Sequence, residues 1–174
     1  MKYLRLFEDF EPHDSYELMI LSPNKKAEMI VEEIKKSKPN MNLVQDLITL
    51  EANLDWKNED GRTLLHKAAY SENVEIARIL IDAGTDINIQ DKYGYVPLHV
   101  AVESHLPEIV HMMIDAGANL NVQDKNGNTP LHNAARFGNE EIADILIEAG
   151  ADVNILNNAG KHWDELMHDD EDDE

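Results

Sequence analysis

Eight histidines and 35 carboxylates give this 174-residue chain ample material for acid–base or metal chemistry. It has no cysteine, which removes thiol catalysis, disulfide frameworks and Cys-based zinc sites. The most suggestive stretch is GNTPLHNAARFGN at 127–139, which sets His132 close behind Thr129 and Pro130. A histidine beside a hydroxyl could serve as a base or a ligand. Yet His66, His99 and His132 recur at intervals of 33, so each holds the same place in its own segment. Equivalents a whole repeat apart cannot share one ion at Zn–N distances of ~2.0–2.1 Å. No carboxylate recurs beside each of them to complete a triad. His105 and His111 lack the i, i+4 spacing of a helical metal pair, and His162 and His168 suit adventitious binding at most. The phosphate-cradling G-x-x-x-x-G-K pattern is absent, and carboxylate pairs such as Glu140–Glu141 read as solvated helix faces. The expectation is therefore no catalytic residue, no cofactor and no metal.

The interval of 33 extends far beyond the histidines. Gly61 opens GRTLLHKAAYSENVEIARILIDAGTDINIQDKY, Gly94 opens GYVPLHVAVESHLPEIVHMMIDAGANLNVQDKN, and Gly127 opens GNTPLHNAARFGNEEIADILIEAGADVNILNNA. Each position has a local physical reason. The opening glycine suits a turn that needs positive φ. Thr63 and Thr129 are N-cap residues, followed in two repeats by Pro97 or Pro130 at the first helical position. Ala68, Ala69, Ala101, Ala134 and Ala135 let a second helix approach closely. That helix is expected over about 74–83, 107–116 and 140–149, with Ile76, Ile79 and Leu80 and their equivalents on one face and Gly84, Gly117 and Gly150 ending it. The arms DINIQD, NLNVQD and DVNILN alternate too briefly for a sheet. One such unit cannot bury its apolar face alone, so the units must stack into an all-α solenoid.

The TPLH, AA, AGADVN and D-x-x-G elements, with their period, resemble the ankyrin repeat. The resemblance covers three full repeats, 61–93, 94–126 and 127–159. It extends more weakly over a degenerate capping repeat at 28–60 and a C-terminal half repeat at 160–168. Leu64 replaces the usual proline, Val96 the threonine and Val102 the second alanine. What the resemblance implies is an all-α ankyrin-repeat solenoid of helix–turn–helix units with extended β-turn fingers. His66, His99 and His132 would be structural, tying neighbouring repeats through their rings. The function implied is a non-catalytic protein–protein interaction module that docks one protein partner through its concave face and finger tips. The residues placed there are Arg62, Tyr70, Lys92, Tyr93, Tyr95, Glu103, Lys125, Asn128, Arg136 and Phe137. Four of the chain's eight Tyr and Phe residues fall in this set, and Tyr and Arg are typical binding hot spots.

The net charge is −20, which argues against nucleic-acid or anionic-membrane binding and for a basic partner. Its distribution is uneven. The second helices carry Glu75, Asp82, Glu108, Asp115, Glu140, Glu141, Asp144 and Glu148, so an alternative is an acidic nucleic-acid mimic that sequesters a DNA-binding protein through this outer face and the tail. The block DDEDDE at 169–174 is expected to be a disordered acidic tail. In the N-terminal extension, 1–27, Tyr3, Leu6, Phe7 and Phe10 share a helical face that could cap the first repeat or dock elsewhere. No apolar run reaches the ~18–20 residues of a membrane span, and acidic residues interrupt the opening where a signal peptide would be apolar. A cytoplasmic protein, monomeric when free, is expected.

Overall fold

The computed structural model describes residues 15–167. The expectations for Tyr3, Leu6, Phe7 and Phe10 and for the tail at 169–174 lie outside the described residues. The chain divides into two compact units, one running to Asn53 and the other starting at Leu54.

The first unit contains α1 (Ser15–Met19), α2 (Pro23–Ile34) and α3 (Met41–Thr49). Helix α2 starts with Ser22 as N-cap, its side chain accepting from the Lys25 N–H, and Pro23 at the first position. It crosses the expected repeat boundary at 28 and has 12 residues, against seven in the first helix of each later repeat. Helix α3 keeps the period, lying 33 positions before the helix that begins at Val74. Glu33 is fully buried, and its carboxylate accepts from the Asn40 N–H at 2.7 Å while Lys36 pairs with it at 2.6 Å. This carboxylate fixes the start of α3, whose N-cap Asn40 in turn accepts from the Leu43 N–H at 3.1 Å. Ile30, Val44 and Leu47 are fully buried between the helices.

The second unit stacks three helix pairs: α4 (Leu64–Tyr70) with α5 (Val74–Asp82), α6 (Pro97–Glu103) with α7 (Pro107–Asp115), and α8 (Pro130–Arg136) with α9 (Glu140–Glu148). A 3₁₀ turn, Asp164–Leu166, packs on α8. Helices α4, α6 and α8 lie side by side in one layer, and α5, α7 and α9 in a second. The expected apolar face of the second helices is shifted slightly. Ile76, Ala77 and Leu80 are buried, with Ile109, Val110 and Met113 and then Ile142, Ala143 and Leu146 in register, while Ile79 is only half-buried. Each second helix ends one residue earlier than expected, at an alanine C-cap followed by a glycine with φ between 81° and 92°. The Gly84 N–H then donates to Ile81 O and the Thr85 N–H to Leu80 O, the paired bonds of a Schellman ending.

First helices are fixed at their N-termini. The Thr63 and Thr129 hydroxyls accept from the N–H of His66 and His132. Val96 has no oxygen with which to do so, and α6 starts without a side-chain cap. Val96→Thr is therefore expected to stabilise the protein by about 1 kcal/mol, the usual worth of such a cap. The check is a higher urea midpoint at unchanged m-value. An unchanged midpoint would mean that methyl packing at this 1%-exposed position matches the hydroxyl in value.

Among the described residues the arms between helix pairs form no extended strand, only an isolated bridge between Lys57 and Thr63. Successive fingers are nevertheless tied by backbone bonds: Lys92 N–H to Asp60 O (2.8 Å), Lys125 N–H to Tyr93 O (3.0 Å) and Asn158 N–H to Asn126 O (2.9 Å).

Candidate functional site

The three repeated histidines bridge neighbouring repeats. The Thr63 N–H donates to His66 Nδ1 at 3.2 Å, which makes Nδ1 an acceptor, so the proton sits on Nε2 and is donated to Tyr95 O at 2.9 Å. His99 takes the Val96 N–H (3.3 Å) and donates to Asn128 O (3.2 Å). His132 takes the Thr129 N–H (3.3 Å) and donates to Lys161 O (3.2 Å). Burial is the largest influence on all three and lowers their pKa, that of His66 to about 4, so the rings are neutral near pH 7. Among the described residues no group of three or more His, Asp or Glu side chains is placed to hold a metal.

The face made by the first helices and the fingers carries the residues selected for binding, but in unequal states. Tyr70 (69% exposed), Tyr93 (47%) and Phe137 (40%) present rings to solvent. Lys92 Nζ lies 5.0 Å from the Tyr93 ring centre, and Arg136 Cζ lies 5.6 Å from that of Phe137, both cation–π arrangements. Lys125 is exposed on the next finger. Lys92 is also paired with Asp60, which raises the lysine pKa and lowers that of the carboxyl, so part of its positive charge is already answered. Arg62 is paired with buried Asp91 at 3.2 Å.

Two residues differ from the sequence reading. Tyr95 does not stand at the finger tip beside Tyr93; it is half-buried and its hydroxyl donates to Glu103 Oε1 at 2.7 Å. Asn128 is 6% exposed, and its Oδ1 accepts from Asn157 Nδ2 at 3.0 Å, which takes it out of the accessible set. The cause is side-chain reach. Arg62, Tyr95 and Asn128 each precede an N-cap position. Arg62 and Asn128 pair with the next finger, where arginine is long enough to keep a third of its surface in solvent and asparagine is covered. Tyr95 turns instead to Glu103 of its own repeat.

Glu103 is the centre of a polar group that motif reading did not assemble. It receives Tyr95 Oη and Asn133 Nδ2 (3.1 Å) on the same oxygen. Burial raises its pKa, opposed by the Tyr95 hydrogen bond and the charge of Arg136. Tyr95 is pushed up to about 12, by burial first and then by Glu103. The fingers contain a second missed set. Asp91 Oδ1 and Asp124 Oδ1 each accept two backbone N–H groups within their turns, and Gln90 and Gln123 each reach a carbonyl of the following finger, at 3.3 and 3.1 Å. The recurrence of Gln-Asp at 90–91 and 123–124 is the signal that could have revealed them.

Among the described residues, no helix is long and apolar enough to cross a membrane. No curated protein gives a significant match to the chain. The family model described as Ankyrin repeats (3 copies) matches residues 33–124, and that described as Ankyrin repeat matches residues 126–158. Repeats of this kind are generally non-catalytic protein–protein interaction modules. With the stacked helix pairs, the finger-to-finger bonds and these matches over well over half its length, the chain belongs to the ankyrin repeat family.

Proposed function

We propose that this protein is a non-catalytic adaptor or inhibitor that docks one folded protein partner on the face formed by its first helices and finger tips. The observation that carries this reading is the exposure of three rings, Tyr70, Tyr93 and Phe137, at first-helix ends and a finger, two of them beside a cation. Exposed aromatics supply large contact area with few rotatable bonds, and with arginines they dominate measured interface energies. The second-helix face differs in kind, with Glu75, Asp82, Glu108, Asp115, Glu140, Glu141, Asp144 and Glu148 all exposed.

The test uses the full chain as bait and then measures the retained protein by calorimetric titration. Tyr93→Ala combined with Arg136→Ala is expected to weaken binding at least about tenfold, because central truncations of this type commonly cost ~2 kcal/mol or more. Melting temperature should stay near that of the wild type, since both side chains lie outside the core. Glu141→Gln with Asp144→Asn on α9 should bind normally. Loss with the α9 pair and none with the aromatic–arginine pair would move the interface to the acidic layer and favour mimicry of nucleic acid.

A further inference from the structure

The interfaces between successive fingers treat one side-chain position, 91, 124 and 157, in three different ways. Asp91 Oδ1 accepts from the N–H groups of Tyr93 and Tyr95, and its Oδ2 takes Nε of Arg62 at 3.2 Å. In the third interface the aspartate is replaced by Asn157, whose Nδ2 donates to Asn128 Oδ1. The middle interface is incomplete. Asp124 Oδ1 accepts from Asn126 and Asn128 N–H at 2.8 Å each, but its buried Oδ2 has no hydrogen-bond partner. The residue in the register of Arg62 is Tyr95, and its hydroxyl is turned to Glu103.

A second orphan lies in the same group. Asn133 is fully buried, gives Nδ2 to Glu103, and leaves Oδ1 unpaired. Asp124 is close enough to act electrostatically on both Tyr95 and Glu103. The group thus holds two carboxylates and two unpaired buried acceptors, while the Tyr95 hydroxyl and the Asn133 amide both donate to one oxygen of Glu103. Native interiors rarely leave such acceptors unanswered. Of the nearby guanidinium groups, Arg62 pairs with Asp91 and Arg136 lies over the Phe137 ring with its charge reaching Glu103, and neither donates to Asp124 Oδ2 or Asn133 Oδ1. The deficit is for N–H donors beside carboxylates, and a guanidinium supplies five donors in a planar fork together with a charge.

We propose that the notch formed by Tyr95, Glu103 and Asn133, with Asp124 beside it, receives an arginine side chain of the partner protein. The inference rests on the docking reading above and gives the partner a specific chemistry. The arginine would complete in trans the pairing that Arg62 makes in cis one repeat earlier. Its entry needs Tyr95, which is half-buried and hydrogen-bonded to Glu103, to move aside.

The experiment titrates the full ¹⁵N-labelled chain with Nα-acetylarginine amide, its lysine counterpart and its uncharged citrulline counterpart. A saturable shift of the Asn133 side-chain amide signals is expected, strongest for arginine and absent for citrulline. Glu103→Gln should weaken it at least about fivefold, as loss of one charge-assisted contact would. Glu141→Gln on α9 should leave it unchanged. Tyr95→Arg, which restores the register of Arg62, should abolish the response and raise the melting temperature. No saturable response at Asn133, an equal response in Glu103→Gln, or a Tyr95→Arg protein that still responds would each overturn the proposal. Should the captured partner need Tyr93 and Arg136 yet bind Glu103→Gln as it binds the wild type, the docking face stands and the arginine receptor falls. Should the arginine response behave as expected while Tyr93 and Arg136 prove irrelevant to the partner, the notch stands and the docking reading falls.

Discussion

Gly127→Ala is expected to destabilise the protein by about 3 kcal/mol or more, the largest effect in a graded series of single-methyl additions. Four glycines share nearly the same positive φ, 79° at Gly61, 85° at Gly94, 78° at Gly127 and 84° at Gly117. Their surroundings differ. A methyl at Gly117 meets nothing within 4 Å, so Gly117→Ala carries only the conformational cost of a left-handed residue, about 1 kcal/mol. At Gly61 the nearest atoms belong to the Asp91–Lys92 backbone at 3.3 Å, and at Gly94 to the Asp124–Lys125 backbone at 3.0 Å. At Gly127 the methyl would stand 2.6 Å from both Asn158 N and Asn158 Oδ1. Relief there requires Asn158 to shift, which strains its N–H bond to Asn126 O. Urea unfolding of the four alanine variants should rank them Gly117, Gly61, Gly94 and Gly127 in rising cost. Equal losses at all four would show that backbone conformation, not the approach of the next finger, makes glycine necessary.

Acidification from pH 7 to pH 4.5 is expected to remove about 2 kcal/mol of stability through the bridging histidine His66. An unfolded histidine titrates near ~6.5, whereas His66 in the fold titrates at about 4. Between those values the unfolded chain binds the proton and the folded chain does not, so stability falls as pH drops through the interval. For His66 the full loss is roughly 3 kcal/mol, at 1.36 kcal/mol per unit of difference. His99 and His132 are lowered too and act in the same direction. Glu103 acts against them, because its raised pKa makes the folded state take up a proton before the unfolded one. Relief of repulsion in a chain of net charge −20 also opposes the loss. Comparison of wild type with His66→Asn separates these contributions. The variant should be less stable at pH 7 yet lose less on acidification. Parallel losses in the two proteins would refute a neutral, buried His66 as the source.

The repeat stack was legible because its determinants are local. Thr63, Pro97, Pro130, Gly84 and Gly150 each satisfy a cap or a turn within a few residues, and three in-register copies reinforce each reading. Helix α2 was less legible because the segment before Met41 lacks the turn glycine and the TPLH signal, and its start depends on Ser22 and Pro23, which lie upstream of the period. The binding face was legible only as a set of positions. Whether a side chain there is exposed depends on what the next repeat places over it. Tyr95 is drawn inward by Glu103, eight positions on, a carboxylate that Asn133 also holds from across the repeat boundary. His105 shows a similar limit. Its place beside a helix is evident from spacing, but its φ of 55° follows from the turn after α6, where the next repeat has Gly138.

The bonds that join one repeat to the next have a kinetic meaning as well. Those of the fingers and histidines connect residues 29 to 33 positions apart, as in His66 to Tyr95 and Gln90 to Gln123. To form each of them the chain closes a segment of about one repeat, and each doubling of such a segment would add only about 0.6 kcal/mol of closure entropy. From Leu54 onward the native topology is therefore one of low contact order, in which any adjacent pair of repeats can act as the seed and the others dock in turn. The middle repeat, which has a neighbour on each side, is the natural place for that seed; yet it starts α6 without a hydroxyl cap and leaves Asp124 Oδ2 unpaired. The segment best placed to begin folding thus carries the two defects that would slow it.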